Sequence, residues 1–189
     1  MDRIGLIPPA EDDVSVRLHR IGQVVAIGAL LCAAVIVGST AVIWSNDQLI
    51  HRWVAWPSPL GMRPITITLG ARMIGMLLAL VGAIPVLYAL VQLSRLFSAF
   101  AGGHVFEDDN AARIRGIGLA LIVKAVLSPP VQILTTLNLT LNNPPDARTI
   151  GFEIEAGHLM TVLGGLALIA FATVMRDATR LSQENREIV

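Results

Sequence analysis

Charge is scarce in this sequence. Asp, Glu, Lys and Arg make up 15% of its 189 residues, against about 25% in soluble domains. The 14 basic and 14 acidic residues cancel, so net charge argues neither for nor against nucleic acid, and direct nucleic-acid binding is not expected. One cysteine, Cys32, lies inside an apolar run. It excludes an intrachain disulfide and reads as a small packing residue. Lysine is nearly absent too: 13 of the 14 basic residues are arginine and only Lys124 is lysine, a bias that suits a GC-rich bacterial genome. Nucleophile elbows and glycine-rich phosphate loops are missing. No enzymatic activity, cofactor or resident metal is therefore expected.

Apolar length is abundant: 54% of the residues are hydrophobic and the mean hydropathy is +0.67. Four runs dominate, Val24 to Trp44, Met73 to Leu93, Ile117 to Leu141 and His158 to Met175. Each approaches the roughly 20 apolar residues that a helix needs to cross a bilayer. They predict an all-α, polytopic membrane protein built as one domain over 1–189. The spans fall at about 22–44, 68–93, 116–141 and 157–175, with outer loops 45–64 and 142–156 and an inner loop 94–115. The first run exceeds the roughly 7–15 residues of a signal-peptide core, and no small-x-small site follows Trp44. It reads as an uncleaved signal-anchor helix. Nine arginines flank one side: Arg3, Arg17, Arg20, Arg95, Arg113, Arg115, Arg176, Arg180 and Arg186. Four flank the other: Arg52, Arg63, Arg72 and Arg148. By the positive-inside rule both termini face the cytoplasm of a bacterial inner membrane.

Local signals refine this picture. Asp12 or Asp13 is placed to cap the first helix. Trp53 and Trp56, among Pro57, Pro59 and Pro64, suit a loop lying on the bilayer surface. Pro85 predicts a kink in the second helix and Gly102-Gly103 its stop. Asp108 or Asp109 is placed to cap the third helix, and Pro129-Pro130 predicts a break halfway along it. Asn142-Asn143-Pro144-Pro145 predicts a turn. Small residues at Gly75, Ala79 and Ala83, at Gly157, Thr161 and Gly165, and at Ala34 and Gly38 suit close helix packing, within one chain or in a homo-oligomer.

The strongest chemical anomaly is Lys124. At 1.5 Å per residue it lies roughly 15 Å inside the third span, with no carboxylate in any span to pair with it. An intramembrane charge points to a cavity, ion path or ligand site; the bland alternative is a snorkelling or carbonyl-bound lysine. Arg72 reads as snorkelling to phosphate, or as paired with Asp47, Glu153 or Glu155. Neither His51, Glu153, Glu155 and His158 on the outer face nor His104, Glu107, Asp108 and Asp109 on the inner face shows a convincing metal-ligand spacing.

The middle of the chain reads Phe100, Gly103, Phe106, Asn110, Ile114, Arg115, Ile117 and Gly118 in the pattern F-x-x-G-x-x-F, then N and I-R-x-I-G. Its end carries Ala178, Leu181, Glu184, Asn185, Ile188 and Val189 in the pattern A-x-x-L-x-x-E-N-x-x-I-V. On these two segments the chain resembles the domain of unknown function 2975 family, uncharacterised bacterial four-helix integral membrane proteins. Lys124 and Pro129-Pro130 depart from the family pattern. The resemblance implies genes lying beside small helix-turn-helix regulators, hence a cytoplasmic DNA-binding partner.

The first expectation is thus a non-enzymatic inner-membrane protein, held in the lipid bilayer, that binds such a regulator through Phe97, Phe100, Gly103, Phe106, Asn110, Arg115, Glu184 and Asn185. The phenylalanines have a competing role as rings that close the bundle against the C-terminal helix. The second expectation is a subunit of an oligomeric transporter or channel using Lys124 and the Pro129-Pro130 break.

Overall fold

A long apolar run has no water to satisfy its backbone, so it must bond to itself, and a helix does this within one segment. The computed structural model describes residues 11–54, 65–104, 107–151 and 153–187, and among them helices and turns are present but no strand. The helices are α1 (Glu11–Ser45), α2 (Asp47–Trp53), α3 (Leu69–Ala101), α4 (Asp108–Thr140) and α5 (Ala156–Glu187), with a short 3-10 turn at Pro145–Ala147. Four of the five, α1, α3, α4 and α5, are long and apolar enough to cross a membrane. This is an all-α membrane protein.

The spans pack in chain order, α1 on α3, α3 on α4 and α4 on α5. They run antiparallel. Gly22 of α1 meets Phe97 and Ala101 near the end of α3, whereas Trp44 meets Gly75 near its start. Both α1 and α5 stand at the ends of an open row rather than closing a ring. Their apolar side chains, such as Val24, Val35, Met160 and Val174, stay exposed, as lipid-facing side chains do. The start of α1, the end of α3, the start of α4 and the end of α5 share one end of the row. We refer to it as the inner end.

Two close approaches set the row. At Gly75 a β-carbon would sit 1.9 Å from the Trp44 indole, so glycine admits the ring. Trp44 is buried there beside Ile50 and Leu139. At the α4–α5 crossing, a β-carbon on Gly118 would lie 2.6 Å from the Gly165 carbonyl oxygen, and the reverse holds equally. Backbone therefore lies against backbone. Of the other small-residue stripes, Gly38 has open space around it and Gly157 touches only the Glu155 side chain. Neither is a helix contact.

Several local expectations need correction. Helix α4 is continuous through Pro129 and Pro130. Two missing N–H groups remove rungs of the ladder, but the turns on either side remain bonded and packed on α3, where Gly82 faces Val131. Helix α3 also runs on through Pro85, which is compatible with the kink expected there. Asp12 and Asp13 lie inside α1, so neither is its cap. The cap of α4 is Glu107, with no side-chain bond, and Asp108 and Asp109 occupy its first turn, where they complement the helix dipole.

The outer end is tied by polar bonds. Asn46 caps α2 by accepting from the Gln48 and Leu49 amides. Arg72 pairs with Asp47 and donates to the Ser45 carbonyl at 2.8 Å, joining α3 to the α1–α2 corner. Trp53 is exposed, with Arg52 over its ring; Trp56, Pro57, Pro59 and Pro64 lie outside the described residues. The loop after α4 turns at Asn142–Pro145 as predicted. It is held by buried Thr136, Thr140 and Asn143: the Thr149 amide donates to Thr140 Oγ1, the Gly151 amide to Thr136 Oγ1, and Thr66 Oγ1 to Asn143 Oδ1.

Candidate functional site

Most of the residues singled out in the sequence gather at the inner end. Helix α3 ends in a Schellman motif: the His104 amide donates to the Ala99 carbonyl and the Gly103 amide to the Phe100 carbonyl. Gly103 carries φ +82°, a left-handed conformation that glycine adopts without steric cost. The chain then returns into α4, and Asn110 fixes the return. Its side chain is fully buried; Nδ2 donates to the His104 carbonyl at 2.6 Å, and Oδ1 accepts from Arg113 at 3.1 Å. Arg113 also donates to the Arg95 carbonyl of α3.

Phe97 and Phe100 meet edge to face, with centroids 5.6 Å apart. Both are half-buried, packed against Leu96, Ile114 and Ala172 together with Ile117, Leu168 and Met175. They therefore join α3, α4 and α5, as the bundle-closing role requires. Phe106 lies outside the described residues. Glu184 and Asn185 fall in α5, on its last turns. Thus Phe97, Phe100, Gly103 and Asn110 form one packed turn. Arg115 is separate from it and exposed.

Arg115 instead lines a cleft of about 750 Å³ on the inner part of α4, walled by Tyr88 of α3 and by Ile169, Thr173 and Arg176 of α5. Asp108 and Asp109 stand at the same opening. Among the described residues, neither arginine and neither aspartate makes an ion pair or hydrogen bond. Sequence reasoning missed Tyr88, Thr173 and Arg176 as members of one site. They come from three helices, and no local spacing links them.

Lys124 is half-buried in the middle of α4. Among the described residues its ammonium has no hydrogen-bond or ion-pair partner. One, two and three turns further on, Ser128, Gln132 and Thr135 line a second cavity, of about 380 Å³, which opens towards Glu153 and Glu155 at the outer end. Gln132 Oε1 accepts the Glu153 amide at 2.8 Å. On the same end His158 Nδ1 accepts the Glu155 amide at 3.1 Å. Among the described residues, no three His, Cys, Asp or Glu side chains come together to hold a metal.

Comparison with known proteins gives a single kind of match. No curated protein and no solved structure matches the chain. Residues 45–189 match the family described as "Protein of unknown function (DUF2975)"; they include the packed inner turn, the cleft and the end of α5, and the chain belongs to that family.

Proposed function

We propose that this is a bacterial inner-membrane protein, with both termini in the cytoplasm, that acts by holding a small DNA-binding regulator at its inner end. What carries this reading is the projection of α5. The helix runs on to Glu187, beyond the long apolar run that ends at Met175, and carries Arg176, Asp177, Arg180, Glu184, Arg186 and Glu187. The 12 residues 176–187 extend about 18 Å at 1.5 Å per residue. A mixed-charge helix of that length sits in water or against protein, not in hydrocarbon. The arginine bias supports a cytoplasmic location for this end. Helix-turn-helix regulators, implied by the family resemblance, supply the partner class.

The packing narrows the contact. Because Phe97, Phe100 and Asn110 are used in joining helices, the contact moves to the loop tip at Gly103–His104 and to Glu184 and Asn185. The test is purification of the tagged chain from its host in mild detergent. The wild type should bring a stoichiometric DNA-binding protein. Glu184→Ala with Asn185→Ala should lose it while still inserting as four spans. Retention of the partner by that variant, or recovery of the chain alone from wild-type cells, contradicts the proposal.

A second reading is favoured by Lys124: an unpartnered half-buried ammonium one turn below an outward cavity suits a transport or ligand path. Four spans in an open row would need an oligomer to enclose it. Lys124→Met should then abolish any transport-linked phenotype; its full retention excludes this reading.

A further inference from the structure

The inner cleft is graded in chemistry along the membrane normal. Asp108 and Asp109 sit on the first turn of α4, nearest the water. Arg115 follows two turns deeper, about 10 Å along the axis at 1.5 Å per residue. Arg176 reaches the same space from α5. Its Cα–Cβ bond tilts towards the helix N-terminus, which for α5 means into the membrane, whereas that of Arg115 tilts towards the water. Arg176 itself stands about level with the first turn of α4, since Gly118 lies against Gly165 and Ile169 in the antiparallel pair, and both arginines border the cleft. Below them Tyr88 and Gly116 are shared with a second groove, of about 300 Å³, between α3 and α4. That groove is apolar, continuing along Pro85, Leu119 and Val123.

From the interior outward the order is thus hydrocarbon, Arg115 with a hydroxyl, then Arg176 with two anions. We infer that this cleft binds an ethanolamine phospholipid, with an acyl chain in the Pro85–Val123 groove, the phosphodiester between Arg115 and Arg176, and the primary ammonium at Asp108 and Asp109. Arginine at this depth is the residue type suited to a phosphodiester, because its fork donates two parallel bonds. Basic pockets between spans are a recurring way to hold headgroups. Tyr88 can add a donor: Gln92 Nε2 already donates to its oxygen at 2.8 Å, which leaves the phenolic hydrogen for the phosphate. The aspartates set the headgroup class. Two positive and two negative groups match a headgroup of zero net charge, and an anionic glycerol headgroup would meet the carboxylates unfavourably. A choline headgroup has no N–H for the carboxylates to accept. Among the described residues, the loop tip at Gly103 and His104 does not line this site, and lipid binding is read separately from the regulator contact.

The experiment uses the purified full chain, delipidated in mild detergent and titrated with dioctanoyl phosphatidylethanolamine, phosphatidylcholine and phosphatidylglycerol, with bound lipid counted by native mass spectrometry. The ethanolamine lipid should bind about tenfold more tightly than the other two, the scale of one charge-assisted bond. Arg115→Gln with Arg176→Gln should lower binding of all three by about tenfold or more. Asp108→Asn with Asp109→Asn should erase the preference and favour the glycerol lipid. All four residues are exposed, and size-exclusion profiles identical to wild type will confirm that the variants are folded. Equal binding of the three lipids, or an unchanged profile in either double variant, overturns the assignment. So does full displacement by millimolar phosphoethanolamine, which would make the headgroup alone the ligand and leave the groove without a role.

Discussion

The contact of α4 with α5 through Gly118 and Gly165 yields a prediction whose sign can be worked out before measurement. A methyl group at 118 would lie 2.6 Å from the Gly165 carbonyl oxygen, 2.9 Å from Ile169 Cγ1 and 3.2 Å from Leu168 Cβ. The nearest of these is backbone and cannot rotate away, so α4 and α5 must separate. Overpacking of this kind costs about 1–3 kcal/mol. Replacing glycine by alanine inside a helix returns about 0.5–1 kcal/mol; with a backbone clash at the upper end of the overpacking range, Gly118→Ala should be destabilised by about 2–2.5 kcal/mol net. Gly164, one residue from the crossing, has nothing within 4 Å of the same methyl position. Gly164→Ala should therefore be neutral or slightly stabilising. Gly165→Ala should resemble Gly118→Ala, but the double variant should cost less than the two added, because one separation relieves both clashes. Equilibrium unfolding in mixed micelles with rising dodecyl sulfate, followed by tryptophan fluorescence, gives the four values. Equal stability of Gly118→Ala and Gly164→Ala would refute the backbone contact, and strict additivity would refute the shared separation.

Two further outcomes follow from the same geometry. Asn110→Ala removes both bonds of a fully buried side chain, to the His104 carbonyl and from Arg113, and at about 0.5–1.5 kcal/mol per bond should cost about 1–3 kcal/mol in the same assay; stability equal to wild type would show that the inner turn does not depend on Asn110. In a Cys32→Ser background, an impermeant maleimide should label Asn142→Cys without lysis and His104→Cys only after it, and the reverse pattern would invert the orientation drawn from the arginines.

The spans were legible because bilayer thickness imposes a length that composition alone reveals. Turn chemistry was legible where glycine or proline forces a conformation, as at Gly103 and at Asn142–Pro145. Capping was read less well: Asp108 and Asp109 have the right chemistry but lie one turn position too late, behind Glu107. The Pro129-Pro130 break failed because proline's local penalty was weighed without the packing of α4 on both neighbours. Trp44 was read as the end of a span, yet it is a core ring whose room is made by a glycine 31 residues away. The outer threonine network escaped notice because Thr136 and Thr140 are ordinary helix residues until a loop returns to them. The family motif of the inner segment was found, but its role was not. Phe100, Gly103, Asn110, Ile114 and Gly118 each have a packing or turn-fixing duty, so the pattern records how α3, α4 and α5 join. Arg115 alone among the motif residues with polar side chains is left facing a cleft, and its companions there come from other helices.

The most direct test of a partner held at the inner end is site-specific photo-crosslinking in living cells, with the photoreactive residue at position 184 and a control at the lipid-facing position Val174. The account predicts a single protein adduct at 184, identified as a DNA-binding regulator, and no protein adduct at 174. An empty result at 184, or the same adduct from both positions, would contradict it.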